Sequence, residues 1–102
     1  MRSRRSLDGR HILITGASSG IGAAFARVCA TRGARLTLVA RRRDQLDAVA
    51  ASCSSSCHVL PRDLSTVPEP GWLDGAVAEM GPVDVLVNNA GTGDSGRILE
   101  RE

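Results

Sequence analysis

The chain has 102 residues, 42% of them hydrophobic, and its 13 basic residues, all arginine, outweigh 11 acids for a formal net charge of +2. One domain is the upper limit at that length, and the near-neutral balance, with Phe25 and Trp72 the only aromatics, argues against a nucleic-acid binder. Tyrosine and lysine are both absent, which excludes a phenolic proton donor, a lysine Schiff base and a phosphate-clamping lysine; guanidinium does not deprotonate and cannot replace them in proton transfer.

Residues 1–10, with Arg2, Arg4 and Arg5, are expected to form a disordered basic arm. Ser3-Arg4-Arg5-Ser6-Leu7 faintly resembles a twin-arginine export signal. The apolar stretch such a signal needs, His11 to Gly22, reads better as a strand and its turn. No stretch approaches the roughly 18 apolar residues of a membrane span, so a cytoplasmic chain without a membrane partner is expected.

His11-Ile-Leu-Ile-Thr15 is a short apolar run with the character of a buried strand. It ends in the glycine-rich turn Gly16-Ala-Ser-Ser-Gly-Ile-Gly22. Ile21, Ala24, Phe25, Val28 and Cys29 then recur at helical spacing, and Gly33 supplies a left-handed stop. A second strand over Leu36 to Ala40 precedes a helix from Asp44 to Ala51 with Leu46, Val49 and Ala50 on one face. After the polar break Ser52 to Ser56, His58 to Leu60 is a short third strand closed by Pro61. Trp72 to Met80 reads as a third helix with Trp72, Ala76 and Met80 inward, stopped by Gly81-Pro82. Val83 to Val87 is a fourth strand, and a helix is expected to begin near Glu102.

Strands alternating with helices imply parallel pairing through right-handed crossovers. The fold class is therefore α/β, the first half of a Rossmann-type doubly wound parallel sheet ordered 3-2-1-4, over residues 11–102. The outer edge of the fourth strand would then be unpaired, apolar and prone to aggregate. Cys29, Cys53 and Cys57 are odd in number and lack CxxC spacing. Cys53-Ser-Ser-Ser-Cys57 can place two thiols one helical turn apart, yet the other zinc ligands are missing nearby; free thiols and no metal are expected.

The turn after the first strand is the strongest chemical signal. Backbone N–H groups in such a turn approach a pyrophosphate, and the helix N-terminus adds partial positive charge. Gly16 lets the chain turn, Gly20 lets the backbone reach the phosphates, and Gly22 lets helix and strand pack closely. Ser18 and Ser19 can donate hydroxyl hydrogen bonds. A plain strand-to-helix turn that merely tolerates glycine is the bland alternative.

Thr15-Gly-Ala-Ser-Ser-Gly-Ile-Gly22 is similar to the TGxxxGxG cofactor motif of the short-chain dehydrogenases/reductases. Asn88-Asn-Ala-Gly91 resembles that family's NNAG motif, and Gly96 falls where NNAG-x4-G expects glycine. Asp63-Leu64 matches the acid that accepts from the adenine amino group. The resemblance implies a dinucleotide contacted by Gly16, Ser18, Ser19, Gly20, Ile21 and Gly22, by Asp63 and Leu64, and by Asn89, Ala90 and Gly91, with Asn88 mainly architectural.

The end of the second strand bears on which dinucleotide. An NAD site places a carboxylate there for the adenosine ribose hydroxyls. This chain has Ala40-Arg41-Arg42-Arg43, and an arginine there can form charge-assisted hydrogen bonds to a 2′-phosphate. By resemblance NADP(H) is preferred over NAD(H), with Arg41 the leading contact and Arg42 second, able to stack on adenine. Three cations also oppose the following helix's dipole, which favours an anionic partner over a merely solvated terminus.

Hydride-transferring members of the family use YxxxK and an upstream serine, beyond NNAG. Neither Tyr nor Lys exists in this chain, so no catalytic residue is assigned. The expectation is the NADP(H)-binding N-terminal part of an oxidoreductase acting on a carbonyl or alcohol, truncated and inactive by itself. Its substrate is an unspecified small molecule, and a homo-oligomer is expected only with the second half present. A non-catalytic nucleotide-binding module or sensor, and a nonfunctional product of an interrupted gene, are the rival classes.

Overall fold

Five consecutive buried residues, His11–Thr15, form strand β1, as a strand covered on both faces requires. The structure, a computed structural model, describes residues 7–18, 20–64 and 69–89, together with the backbone of 97–100. Strands β2 (Arg35–Ala40), β3 (Cys57–Pro61), β4 (Val85–Asn88) and β5 (Arg97–Glu100) join β1 in one sheet, interleaved with helices α1 (Gly20–Thr31), α2 (Arg43–Ala51) and α3 (Asp74–Met80). The order is β3-β2-β1-β4-β5. The first four strands are parallel in the expected 3-2-1-4 arrangement, with Ile14 level with Leu38 on one side and Val87 on the other.

The far edge differs from expectation. Arg97–Glu100 is a strand, not part of a helix, and it pairs antiparallel with β4 from Asn88↔Arg97 to Val85↔Glu100. The outer edge of β4 is therefore paired. Its donors and acceptors need partners, and only the eight residues 89–96 separate the two strands. A return that short serves an antiparallel neighbour, whereas a parallel one needs a crossover of a dozen residues or more.

Alternation along the strands separates two faces. Ile12, Ile14, Leu36, Leu38 and Val87 share one core with Ala23, Ala26, Cys29 and Ala30 of α1 and Leu46 and Val49 of α2. α3 lies against β2 and β3, burying Ala76 and Met80 as expected, while Trp72 and Phe25 are only half-buried. The inward face of α1 is rotated from the anticipated one. Gly22, Ala23, Ala26, Cys29 and Ala30 face the sheet, whereas Ile21 is 73% and Val28 50% exposed. Gly22 causes this, because a Cβ there would collide with the Gly16 carbonyl oxygen. So close an approach admits only small residues along the same face.

Residues 1–6 of the expected arm lie outside the described residues. Residues 7–10 are docked: Leu7 N–H donates to Arg32 O at 3.1 Å, Gly9 N–H to Gly33 O at 3.2 Å, and Leu7 packs against the core. Gly33 has φ +89° and so provides the anticipated helix stop.

Candidate functional site

The C-terminal ends of the four parallel strands form one edge, and strand order reverses there between β1 and β4. Ligands of open α/β sheets settle at such a reversal. Thr15 organises this edge. Its buried hydroxyl donates toward Asn88 Oδ1 at 3.1 Å, with Val87 O at 3.4 Å, and accepts from Asn89 N–H at 2.8 Å. Asn89 Nδ2 donates to Gly16 O at 3.3 Å. Both asparagines are thus tied to β1 and its turn. Thr15 stood in the recognised motif without a role; a buried threonine ending an apolar strand was the available signal.

The turn itself is pinned by Ala17 N–H donating to Val39 O at 3.2 Å. Gly16 and Gly20 have φ of +65° and +60°, where a side chain would be strained. A Cβ at Gly20 would meet nothing within 4 Å, whereas one at Gly22 would strike Gly16 O and sit 2.7 Å from Asn89 Nδ2. One glycine is open-faced and the other closely covered. α1 begins at Gly20 with no acid in its first turn, so the partial positive charge of its N-terminus is unopposed within the helix. The donor set therefore suits a pyrophosphate. Ser18 is half-buried beside it and Ile21 is exposed over the first turn. Ser19, Ala90, Gly91 and Gly96 lie outside the described residues.

At the end of β2, Arg41, Arg42 and Arg43 are all exposed. Arg42 Nε and Nη2 each lie 3.5 Å from an Asp44 carboxylate oxygen, and Arg43 Nε lies 3.7 Å from Asp47 Oδ2. The hydrogen bond from Arg42 holds the Asp44 carboxyl below its usual range. Arg41 alone of the three has no ion-pair partner among the described residues. At the end of β3, Asp63 is exposed and Leu64 half-buried. The residue before them, absent from the sequence reading, fixes their position: Arg62 N–H donates to Ala40 O at 2.8 Å and its guanidinium to Glu69 Oε2 and Pro61 O, both at 2.9 Å.

The profile of the short chain dehydrogenase family matches residues 10–102. The chain belongs to that family. It is 42% identical over 91 residues to the 11-beta-hydroxysteroid dehydrogenase-like 2 protein of Arabidopsis thaliana, a match covering 84% of this chain and 30% of the relative. Among solved structures, L-sorbose reductase from Gluconobacter frateurii, complexed with NADPH and L-sorbose, superposes with a TM-score of 0.75 at 36% identity, over 90% of this chain and 37% of that one. The 3-ketoacyl-(acyl-carrier-protein) reductase of Brucella melitensis, complexed with NADH, gives 0.73 at 32% identity, over 79% and 34%. The chain thus spans about a third of the length of these proteins, the part that contributes the dinucleotide region of an oxidoreductase fold. Among the described residues no helix is long and apolar enough to cross a membrane, and no cluster of three or more His, Cys, Asp or Glu is placed to hold a metal.

Proposed function

We propose that this short-chain dehydrogenase chain is the NADP(H)-binding N-terminal part of a cytoplasmic oxidoreductase. The observation that carries the cofactor choice is Arg41 at the end of β2, exposed and without an ion-pair partner among the described residues, where a site for NAD places a carboxylate. Its guanidinium takes the 2′-phosphate through charge-assisted hydrogen bonds, with Arg42 the second contact. Gly16, Ser18, Ser19, Gly20, Ile21 and Gly22 hold the pyrophosphate, Asp63 and Leu64 the adenine, and Asn89, Ala90 and Gly91 the far half of the cofactor.

The bound dinucleotide supplies hydride transfer to or from a carbonyl or alcohol substrate of the whole protein. Within residues 1–102 there is no Tyr or Lys, so the family's proton relay is not made here and this chain binds without turning over. Substrate contacts and homo-oligomerisation belong to the remaining length.

Titrating the folded chain with NADPH and with NADH tests this reading. Charge-assisted bonds to the 2′-phosphate should make NADPH bind about 10- to 100-fold tighter. Arg41→Ala should remove most of that difference, Arg42 keeping the rest, while leaving the affinity for NADH unchanged. Equal affinities in the native chain would overturn the NADP(H) assignment, and the absence of saturable binding of either would overturn the binding role.

A further inference from the structure

The cofactor edge carries one ion pair to which the dinucleotide contacts give no task. Arg62 makes the last bond of the β2–β3 ladder, its N–H donating to Ala40 O at 2.8 Å. A trans peptide turns its carbonyl opposite to its N–H, so Pro61 O points away from β2, toward the free edge of the sheet. The Arg62 guanidinium folds back over that carbonyl, with Nη1 donating to Pro61 O at 2.9 Å. Its other terminal nitrogen, Nη2, donates to Glu69 Oε2 at 2.9 Å, seven residues along the chain.

Asp63 and Leu64 lie between the two members of this pair, and each member is anchored to a different element. Arg62 is bonded through its backbone to the end of β2. Glu69 is held through its carbonyl, which accepts from Trp72 N–H at 3.2 Å in the turns that lead into α3. The guanidinium has little room to turn, because its Nε is shut off from solvent and without a hydrogen-bond partner among the described residues. The two side chains are 36% and 59% exposed, and an ion pair so open to water contributes little to stability. What it can supply is position.

We propose that Arg62 and Glu69 are a positioning pair that makes the cofactor site selective for a 6-aminopurine base. They act through Asp63, so the assignment of that carboxylate to the adenine amino group underlies theirs. A carboxylate only accepts hydrogen bonds. Asp63 therefore pairs with a 6-amino group but opposes a 6-oxo oxygen. That rejection holds only while the carboxylate is kept in place, because a loose one turns aside from the oxygen. The pair closes the segment that carries Asp63 from both ends, and neither member needs to touch the base.

Binding of NADPH and of reduced nicotinamide hypoxanthine dinucleotide phosphate to the full chain tests this pairing, since the two ligands differ only at the purine. The native chain should prefer NADPH by about 10- to 100-fold. Asp63→Ala should abolish that preference. Glu69→Ala and Arg62→Met should each reduce it about 3- to 10-fold by freeing the carboxylate. A merely structural effect would weaken both ligands alike and leave their ratio native. Glu69 is exposed, so its truncation gives the readout even where Arg62→Met fails to fold. A native preference that Asp63→Ala abolishes and Glu69→Ala leaves whole would overturn the pair alone. Equal binding of the two ligands by the native chain, or a preference that survives Asp63→Ala, would overturn the role of Asp63 and the pair with it.

Discussion

At the N-terminal end of β1, His11 Nδ1 donates to Gly81 O at 2.8 Å, its Nε2 meets Thr37 Oγ1 at 2.7 Å, and its backbone N–H donates to Asp84 Oδ2 at 2.8 Å. At the C-terminal end, Thr15 reaches Asn88 and Asn89 at 3.1 and 2.8 Å. Both clasps join β1 to the β4 side of the sheet, yet the first is sealed, with His11 wholly buried, and the second borders the open backbone of Gly20. The carbonyl of Gly81 fixes the proton on Nδ1, so Nε2 accepts from the Thr37 hydroxyl and every polar atom there is used within the protein. One end of the strand is built to hold together, the other to hold something else.

The largest expected break in that comparison is at Gly22, where the open end meets the packing of α1. Gly22→Ala places a methyl against the Gly16 carbonyl and the Asn89 side-chain amide, and the carbonyl is backbone that cannot swing aside. It should cost about 3 kcal/mol in urea denaturation and abolish NADPH binding together. A soluble variant that keeps native affinity would show that the turn tolerates the shift. Next come the two clasps themselves. His11→Ala removes a buried ring and leaves Gly81 O and the Thr37 hydroxyl unpaired, a loss of about 2–4 kcal/mol with the affinity for NADPH retained. Thr15→Val keeps the shape but strands Asn89 N–H and Asn88 Oδ1. It should cost about 1–3 kcal/mol and, unlike the change at His11, also weaken NADPH binding, because residues 89–91 lose their anchor. Equal effects on affinity would erase the distinction between the ends.

The open end was much more legible in the sequence than the sealed one. Its turn has a local signature, three glycines between a strand and a helix, and the strand order follows from alternation of elements. His11 reads only as the first residue of an apolar run, because its partners lie 26 and 70 residues away. The phase of α1 was hidden for another reason. Ile21, Ala23, Ala24, Phe25, Ala26, Val28, Cys29 and Ala30 are apolar nearly all round, so periodicity alone cannot choose a face, and a single contact of Gly22 decides it. β5 was hidden because Arg-Ile-Leu-Glu carries no pairing information until an unfilled edge lies beside it.

The smallest expected effect concerns how sharply the open end reads its ligand. Asp44 is exposed and hydrogen-bonded to Arg42, so at neutral pH it competes with a cofactor phosphate for that guanidinium. Its carboxyl is held below the usual 3.8, so the pairing is in place above that value and is lost only as the pH falls through the lowered one. Asp44→Asn should therefore raise the preference for NADPH over NADH by about two- to threefold at neutral pH and low salt. Salt screens both Asp44 and the phosphate, so the gain should shrink as ionic strength rises. A gain that persists in high salt would mean that Asp44 acts by holding the shape of the α2 terminus rather than by its charge, and Arg42 would then be a strut for Arg41 instead of a second hand on the phosphate.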